Sequence, residues 1–225
     1  MPRMTFLLDV DNTLLDNDRI TGDLRQHLER QLGRSHAESY WKCFEKIREE
    51  MGYADYLGAL QRYRQAYPHD SHVLEVSQFL VDYPFADRLF PGALDVIRML
   101  KRKGQVVIVS DGDVVFQPIK IHRSGIFEAV EGHVLIYIHK ERETDDVRQR
   151  YPSEHYVMVD DKLHVLGEMK KCCPVVTTVF VRQGHYAHDR QIIESSPKPD
   201  LAFDHIADLL HADLDRLPLA DEATR

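Results

Sequence analysis

The chain is poor in the residues that mark secreted, membrane-spanning or thiolate-metal proteins. Among its 225 residues there are three cysteines, of which Cys172 and Cys173 are adjacent and Cys43 stands alone. That number and spacing give neither a disulfide framework nor a thiolate metal site, and they suit a reducing compartment. No apolar run approaches the ~20 residues needed to span a bilayer. A single early Arg3 leads directly into the first strand-like run, with no longer apolar region or small-residue cleavage site behind it. No signal peptide is therefore read, and a cytoplasmic location is expected. Positive charge is also scarce: 29 Lys and Arg face 37 Asp and Glu, a formal net charge of −8. This argues against nucleic acid or an anionic membrane as partner. A small anionic substrate would need cations gathered locally.

The composition is that of a folded domain. Hydrophobic residues make up 43% and charged residues 29%, and the length suits one domain or a core with a smaller insertion. The 13 histidines are scattered. His185 and His188 are one helical turn apart, but with no cysteine nearby and a Gly-Tyr context they read as surface or packing residues rather than a zinc site.

The organising stretch is Phe6 to Leu15. An apolar run reads as a buried strand and ends in Asp9-Val10-Asp11-Asn12-Thr13. Two carboxylates at the carboxyl end of a strand fit either an Asp-rich capped turn or a site for a cation or covalent chemistry. After it the pattern is helical. Leu24, Leu28 and Leu32 recur before Gly33; Ala37, Tyr40, Trp41, Phe44, Ile47 and Met51 form an amphipathic stripe; Tyr56, Leu57, Leu60, Tyr63 and Tyr67 repeat it; Val73 to Tyr83 gives a shorter version. The aromatic residues at this spacing read as core rather than as a stacking platform. Residues 17–86 are thus expected to be an inserted all-helical domain, with residues 1–16 and 87–225 forming the core.

From Pro91 the pattern alternates. Ala93 to Lys103 reads as a helix stopped by Gly104, and the β-branched run Val106 to Val109 as a strand buried on both faces of a parallel sheet. It ends in Ser110-Asp111-Gly112-Asp113, where Gly112 would let the backbone turn closely around a ligand. Pro118 opens a helix that stops near Gly125, and His133 to Ile138 is apolar and leads into His139-Lys140-Glu141. His155 to Val159 is the next strand, ending in Asp160-Asp161-Lys162, with a helix over Leu163 to Lys171. Val175 to Val181 and Leu201 to Phe203 complete the strands, with loop between them, a helix capped by Asp204 after them, and a frayed final dozen residues. The expected fold class is α/β, a Rossmann-like parallel sheet flanked by helices.

Asp9, Asp11, Ser110, Asp160 and Asp161 all come at expected strand ends, and Lys140 lies 30 residues after Ser110 and 20 before Asp160. This order and spacing resembles the haloacid dehalogenase superfamily, with its D-x-D-x-T, then Ser or Thr, then Lys, then an acidic pair. The helical insertion resembles the cap of phosphoglycolate phosphatase-like and β-phosphoglucomutase-like members. The resemblance implies a phosphatase acting on a small phosphorylated metabolite, as monomer or homodimer. Asp9 would be the nucleophile and form an aspartyl-phosphate, and Asp11 would protonate the leaving oxygen and later accept a proton from water. Ser110, with the backbone at Asp111 and Gly112, would bind a phosphoryl oxygen. Lys140 would neutralise charge, and Mg2+ would be held by Asp9, the carbonyl of Asp11 and Asp161, with Asp160 acting through water or a cation.

Lys120 competes for the lysine role but lies too early for the family order. Three positions depart from the pattern. Asp111 replaces a small polar residue and is expected to turn away from the phosphate; Lys162 follows the acid pair where a small residue is common; Val165 stands where many relatives have a third acid. The alternatives are a phosphomutase of the same superfamily and a non-catalytic phosphate-binding or signalling protein. A dehalogenase is disfavoured, because it needs no proton shuttle at Asp11.

Overall fold

A computed structural model describes residues 3–213; the expected fraying of the final dozen residues concerns positions outside that range. Six strands form one sheet in the order β3-β2-β1-β4-β5-β6. They are β1 (Met4–Leu8), β2 (Gln105–Asp111), β3 (Val134–Tyr137), β4 (His155–Asp160), β5 (Val176–Val181) and β6 (Leu201–Phe203). Every pairing is parallel. Central strands of such a sheet are covered on both faces, which is why β1, β2, β4 and β5 carry Leu, Val, Ile, Met and Phe toward both of them. Leu7, Val107 and Met158 pack on one face, and Phe6, Leu8, Val106 and Ile108 on the other. The chain is therefore α/β with a Rossmann-like sheet flanked by helices.

Four helices separate β1 from the rest of the sheet: α1 (Asn17–Leu32), α2 (Arg34–Met51), α3 (Tyr56–Ala66) and α4 (Val73–Asp82). Their ends follow the local chemistry. Asp16 caps α1 by accepting from Arg19 N at 2.9 Å, and Asp55 caps α3 by accepting from Gly58 N at 2.7 Å. Gly52, at φ +81°, closes α2 in the left-handed conformation that glycine adopts without a Cβ penalty. Tyr40, Phe44 and Ile47 of α2 meet Tyr56, Leu60 and Tyr63 of α3, and the Tyr40 hydroxyl donates to the Tyr56 carbonyl at 2.9 Å. This block shares one apolar core with the sheet. Its junction is aromatic: the Phe116 ring lies tilted against Tyr56 (centroids 5.3 Å apart) and edge-on to Phe85 (5.6 Å).

The remaining helices are α5 (Ala93–Lys101), α6 (Phe116–Arg123), α7 (Ile126–Ala129), α8 (Thr144–Arg150), α9 (Leu163–Cys172) and α10 (Arg190–Ser195). Three of these, α7, α8 and α10, fall in stretches with no helical signal, since four, seven and six residues are too few to show a periodic stripe. The last expected helix is a 3-10 helix over Ile206–His211. Its start is fixed by Asp208 accepting from His205 N at 2.8 Å, and not by Asp204, which pairs with Arg182 instead. Among the described residues no helix is long and apolar enough to cross a membrane.

Candidate active site

Strand register assembles the site. Leu8 pairs with Ile108 on one side and Val159 on the other, and Asp9 N donates to Val159 O at 3.0 Å. Asp9, Ser110 and the Asp160-Asp161 pair thus reach the same carboxyl edge, where β2 and β4 flank β1 and the strand order reverses its direction of growth. In open parallel sheets this is the crevice where ligands bind.

The turn after Asp9 is held from several sides. Asn12 has φ +59°, a left-handed conformation that Asn tolerates, and its side chain exchanges two 3.1 Å hydrogen bonds with Asp18 at the start of α1. Gln183 donates to Thr13 O at 3.0 Å and accepts from Ile206 N at 2.5 Å. Next to it Gly184, at φ +72°, lies so close that a Cβ would sit 2.5 Å from Asn12 Cβ. The His185 ring Nδ1 lies 2.6 Å from Asp18 Oδ1, and its backbone N–H donates to Asp18 Oδ2 at 2.7 Å.

Lys140 is buried at the centre. Its ammonium donates to Asp9 Oδ1 in a short hydrogen bond and forms an ion pair with Asp160 Oδ2 at 2.7 Å, without hydrogen-bond alignment. Burial disfavours the charged form, but Asp160 and Asp9 outweigh it and hold the Lys140 pKa above its ordinary value. Asp9 is pushed up to about 7 by burial, with Lys140 opposing and Asp160 adding to the rise. Asp160 also accepts from Lys162 N at 2.8 Å through Oδ1. Asp161 is 1% exposed, and neither of its carboxylate oxygens has a hydrogen-bond partner among the described residues. Burial and the repulsion of Asp160 push its pKa well up.

An unpartnered buried carboxylate is costly unless a cation meets it. Oxygens from Asp9, Asp160 and Asp161 lie within 4.8 Å of one another, the one such group of metal-type side chains among the described residues. The three carboxylates outnumber the two ammonium groups that act on them, those of Lys140 and Lys162, and leave the group negative. Hard oxygen donors with that charge fit a divalent ion such as Mg2+, and the free oxygens of Asp161 are the donors most open to it.

The segment after β2 differs in detail from its sequence reading. Ser110 is buried and its Oγ accepts from Gln117 Nε2 at 2.8 Å. Asp111 turns Oδ1 to Lys140 N at 2.8 Å, and burial raises its carboxyl while Lys140 opposes. The Gly112 N–H is committed to Tyr137 O at 3.0 Å and is not free for a ligand. What Gly112 admits is Gln117, since a Cβ there would fall 2.7 Å from Gln117 Cβ.

Asp11 stays partly exposed, with Lys120 beside it. Lys120 Nζ donates to Asp11 Oδ1 at 2.7 Å and to Asn17 Oδ1 at 3.0 Å while being 1% exposed itself. The two lysines therefore do not compete: Lys140 meets Asp9, and Lys120 meets Asp11. Sequence reasoning passed over Gln117, set Lys120 aside as too early for the family order, and passed over Gln183. A signal exists for the first two, which stand three apart on α6, on the face that also buries Phe116 and Ile121. Polar residues on a buried helix face need polar partners.

A cleft of about 610 Å3 opens between this sheet edge and the helical block, bordered by Asp11 and Lys162 below and by Arg25, Trp41 and Phe44 above. Asp161 and Asp9 hold the half-buried Lys162 in its charged form against the effect of burial.

This sheet order, with an acid at the end of β1 and an acid pair at the end of β4, defines a class. The chain belongs to the haloacid dehalogenase-like hydrolases, whose family model matches residues 4–166, and it is an enzyme. Among solved structures, a haloacid dehalogenase-like hydrolase from Burkholderia xenovorans LB400 is 56% identical over 94% of this chain and 99% of its own, with a TM-score of 0.90. The L-2-haloacid dehalogenase of Xanthobacter autotrophicus is 15% identical over 94% of this chain and 98% of its own, with a TM-score of 0.62. The hydrolase YfnB of Bacillus subtilis, solved bound to magnesium, is 16% identical over 94% and 98%, with a TM-score of 0.60. At that identity the last two share the fold. No curated protein matches the chain.

Proposed function

We propose that the protein is a magnesium-dependent phosphatase that hydrolyses a small phosphomonoester through an aspartyl-phosphate on Asp9. The observation that supports this over dehalogenation is Asp11. It is a second carboxylate two residues from Asp9, bordering the cleft and fixed by the Lys120 ammonium at 2.7 Å. A phosphate ester leaves as an alkoxide that needs a proton, whereas a halide leaves without one.

Phosphomonoester hydrolysis is among the slowest uncatalysed reactions, with enzymatic accelerations on the order of 10²¹, so nucleophile, proton transfer and charge stabilisation must act together. Asp9 attacks phosphorus and the bond to the leaving oxygen breaks as Asp11 protonates it. Asp11 then accepts a proton from the water that attacks the phosphoryl group, and the bond from phosphorus to Asp9 breaks to release inorganic phosphate. Lys140 offsets the repulsion between Asp9 and the incoming phosphoryl oxygens. Gln117 donates to Ser110 Oγ, which leaves the Ser110 hydroxyl hydrogen to bond a phosphoryl oxygen. Magnesium, held by Asp9, Asp161 and the carbonyl of Asp11, with Asp160 behind them, would supply positive charge to the phosphoryl group when bound. The helical block, residues 17–86, acts as a cap that closes the cleft over the leaving group.

The test is a panel of phosphorylated metabolites with magnesium or with a chelator, run beside 2-haloacids with halide detection. The expected outcome is magnesium-dependent release of phosphate, no release of halide, and loss of activity in Asp9→Asn. Halide release, or phosphate release that persists in Asp9→Asn, contradicts the proposal, and an isomeric phosphoester in place of free phosphate identifies a mutase.

A further inference from the structure

The turn that carries Asp11 is gripped by a part of the chain beyond residues 4–166, the stretch that the family model matches. After β5, Gln183, Gly184 and His185 each meet it or its partner Asp18. Gln183 is 5% exposed; its Nε2 donates to Thr13 O at 3.0 Å and to Asn12 O at 3.3 Å, and its Oε1 accepts from Ile206 N, so both ends of its amide are used. Gly184 packs against the Asn12 side chain, where a Cβ would fall 2.5 Å from Asn12 Cγ. His185 holds Asp18 through its backbone N–H and its ring Nδ1. Asp18 in turn exchanges two hydrogen bonds with Asn12, and the contacts close into a ring around residue 12.

What this clamp holds is the acid and not the nucleophile. Asp9 is fixed by the sheet, through its N–H bond to Val159 O, and by Lys140, and neither contact involves residues 183–185. Asp11 lies past the end of the strand, partly exposed, and Lys120 of α6 fixes the far end of its side chain at the carboxylate. The direction in which that side chain leaves the backbone is set by the turn. Asn12, the next residue, has φ +59°, a left-handed conformation that residues other than glycine keep only where their surroundings hold it. A general acid must stay within hydrogen-bond reach of the oxygen it protonates, and a misplacement of about 1 Å can cost on the order of 100-fold in rate.

We propose that Gln183 and His185 are positioning residues for Asp11: the clamp they form with Asp18 holds the turn so that the Asp11 carboxyl meets the leaving oxygen. This rests on the phosphatase reading, in which Asp11 is the proton donor, and it extends the working site to a loop that follows β5.

The experiment compares two esters that differ in their need for a proton. Glycerol phosphate loses an alkoxide that must be protonated, whereas para-nitrophenyl phosphate loses a phenolate that leaves without one. The quantity read is the ratio of kcat/KM, nitrophenyl ester over glycerol ester, with magnesium present. Loss of folded protein scales both rates alike and leaves this ratio unchanged. Asp11→Asn is expected to raise it about 100-fold, since general acid catalysis is lost for one ester only. Gln183→Leu and His185→Leu should each raise it about tenfold, a partial misplacement of the acid. His185→Asn, whose amide can donate to Asp18 from the place of Nδ1, should stay within about twofold of the wild type. In the Asp11→Asn background Gln183→Leu and His185→Leu should leave the ratio where it stands, because they act through the acid already removed. A ratio that keeps its wild-type value in both clamp variants overturns the inference and leaves the phosphatase reading standing. So does a ratio that they still raise once Asp11 is replaced, which would assign these residues to direct contact with the ester. Absence of phosphate release from both esters overturns the phosphatase reading and the inference with it.

Discussion

At the level of single residues the site divides its work between two lysines. Lys140 and Lys120 are each 1% exposed, and each ends on one acid of the Asp9-Val10-Asp11 run. Burying an ammonium is unfavourable unless a carboxylate meets it, so each lysine fixes its acid as firmly as the acid fixes the lysine. In the proposed mechanism Lys120 would act on the reaction through Asp11, as a positioning residue. Lys120→Met is expected to lower kcat about 100-fold, the usual size of a general acid-base contribution, with KM within about threefold. Steady-state kinetics on any turned-over ester checks this, and equal loss in kcat and 1/KM would assign Lys120 to substrate binding instead. The acids were legible in the sequence because each closes an apolar run. The place of Lys120 was not, because it lies in the middle of α6, too early for the lysine of the family order, and only the fold brings it back to the turn after β1.

At the level of elements, the helical block is joined by local polar networks as well as by its core. The turn between α3 and α4 is tied by Asp70, which accepts from the Tyr63 hydroxyl at 2.5 Å and from His72 N at 3.0 Å. Although burial opposes it, these bonds and the contact with the His72 ring bring the Asp70 carboxyl from 3.8 down to about 2. A carboxyl depressed on folding stabilises the protein above its unfolded pKa, and the stabilisation is lost as pH falls through the folded value. Urea denaturation should therefore show a loss between about pH 4 and pH 2 that is absent in Asp70→Asn, amounting to about 1 kcal/mol after allowance for solvent screening. An unchanged acid profile in the variant would show that the network contributes nothing. The helices themselves were readable, because Tyr40, Phe44, Ile47, Tyr56, Leu60 and Tyr63 recur at helical spacing and are buried. Unreadable elements were the short ones: α8 buries Val147 and Thr144 alone, and α10 buries nothing. Such helices are set by what they connect rather than by a stripe of their own.

For the whole molecule, the sheet order makes one site from residues more than 150 positions apart, Asp9 on β1 and Asp161 after β4. That the sheet would be parallel followed from its unbroken β-branched strands; that β4 lies beside β1 did not, because order within a sheet is a tertiary property. The same assembly couples folding to metal. Neither carboxylate oxygen of Asp161 has a hydrogen-bond partner among the described residues, so a divalent ion that meets it should stabilise the fold as well as serve the reaction. At one hundred times its dissociation constant, magnesium is expected to add about 2.7 kcal/mol and to raise the melting temperature, and Asp161→Asn should abolish the shift. Magnesium that leaves the melting curve of the wild type in place would contradict this site. The central claim concerns Asp9, and rapid-quench mass spectrometry of the enzyme during turnover of a phosphomonoester with magnesium tests it most directly. The account predicts one added phosphoryl group on the peptide that contains Asp9, and none in Asp9→Asn; free phosphate released with no such mark, or a mark on another residue, would contradict it.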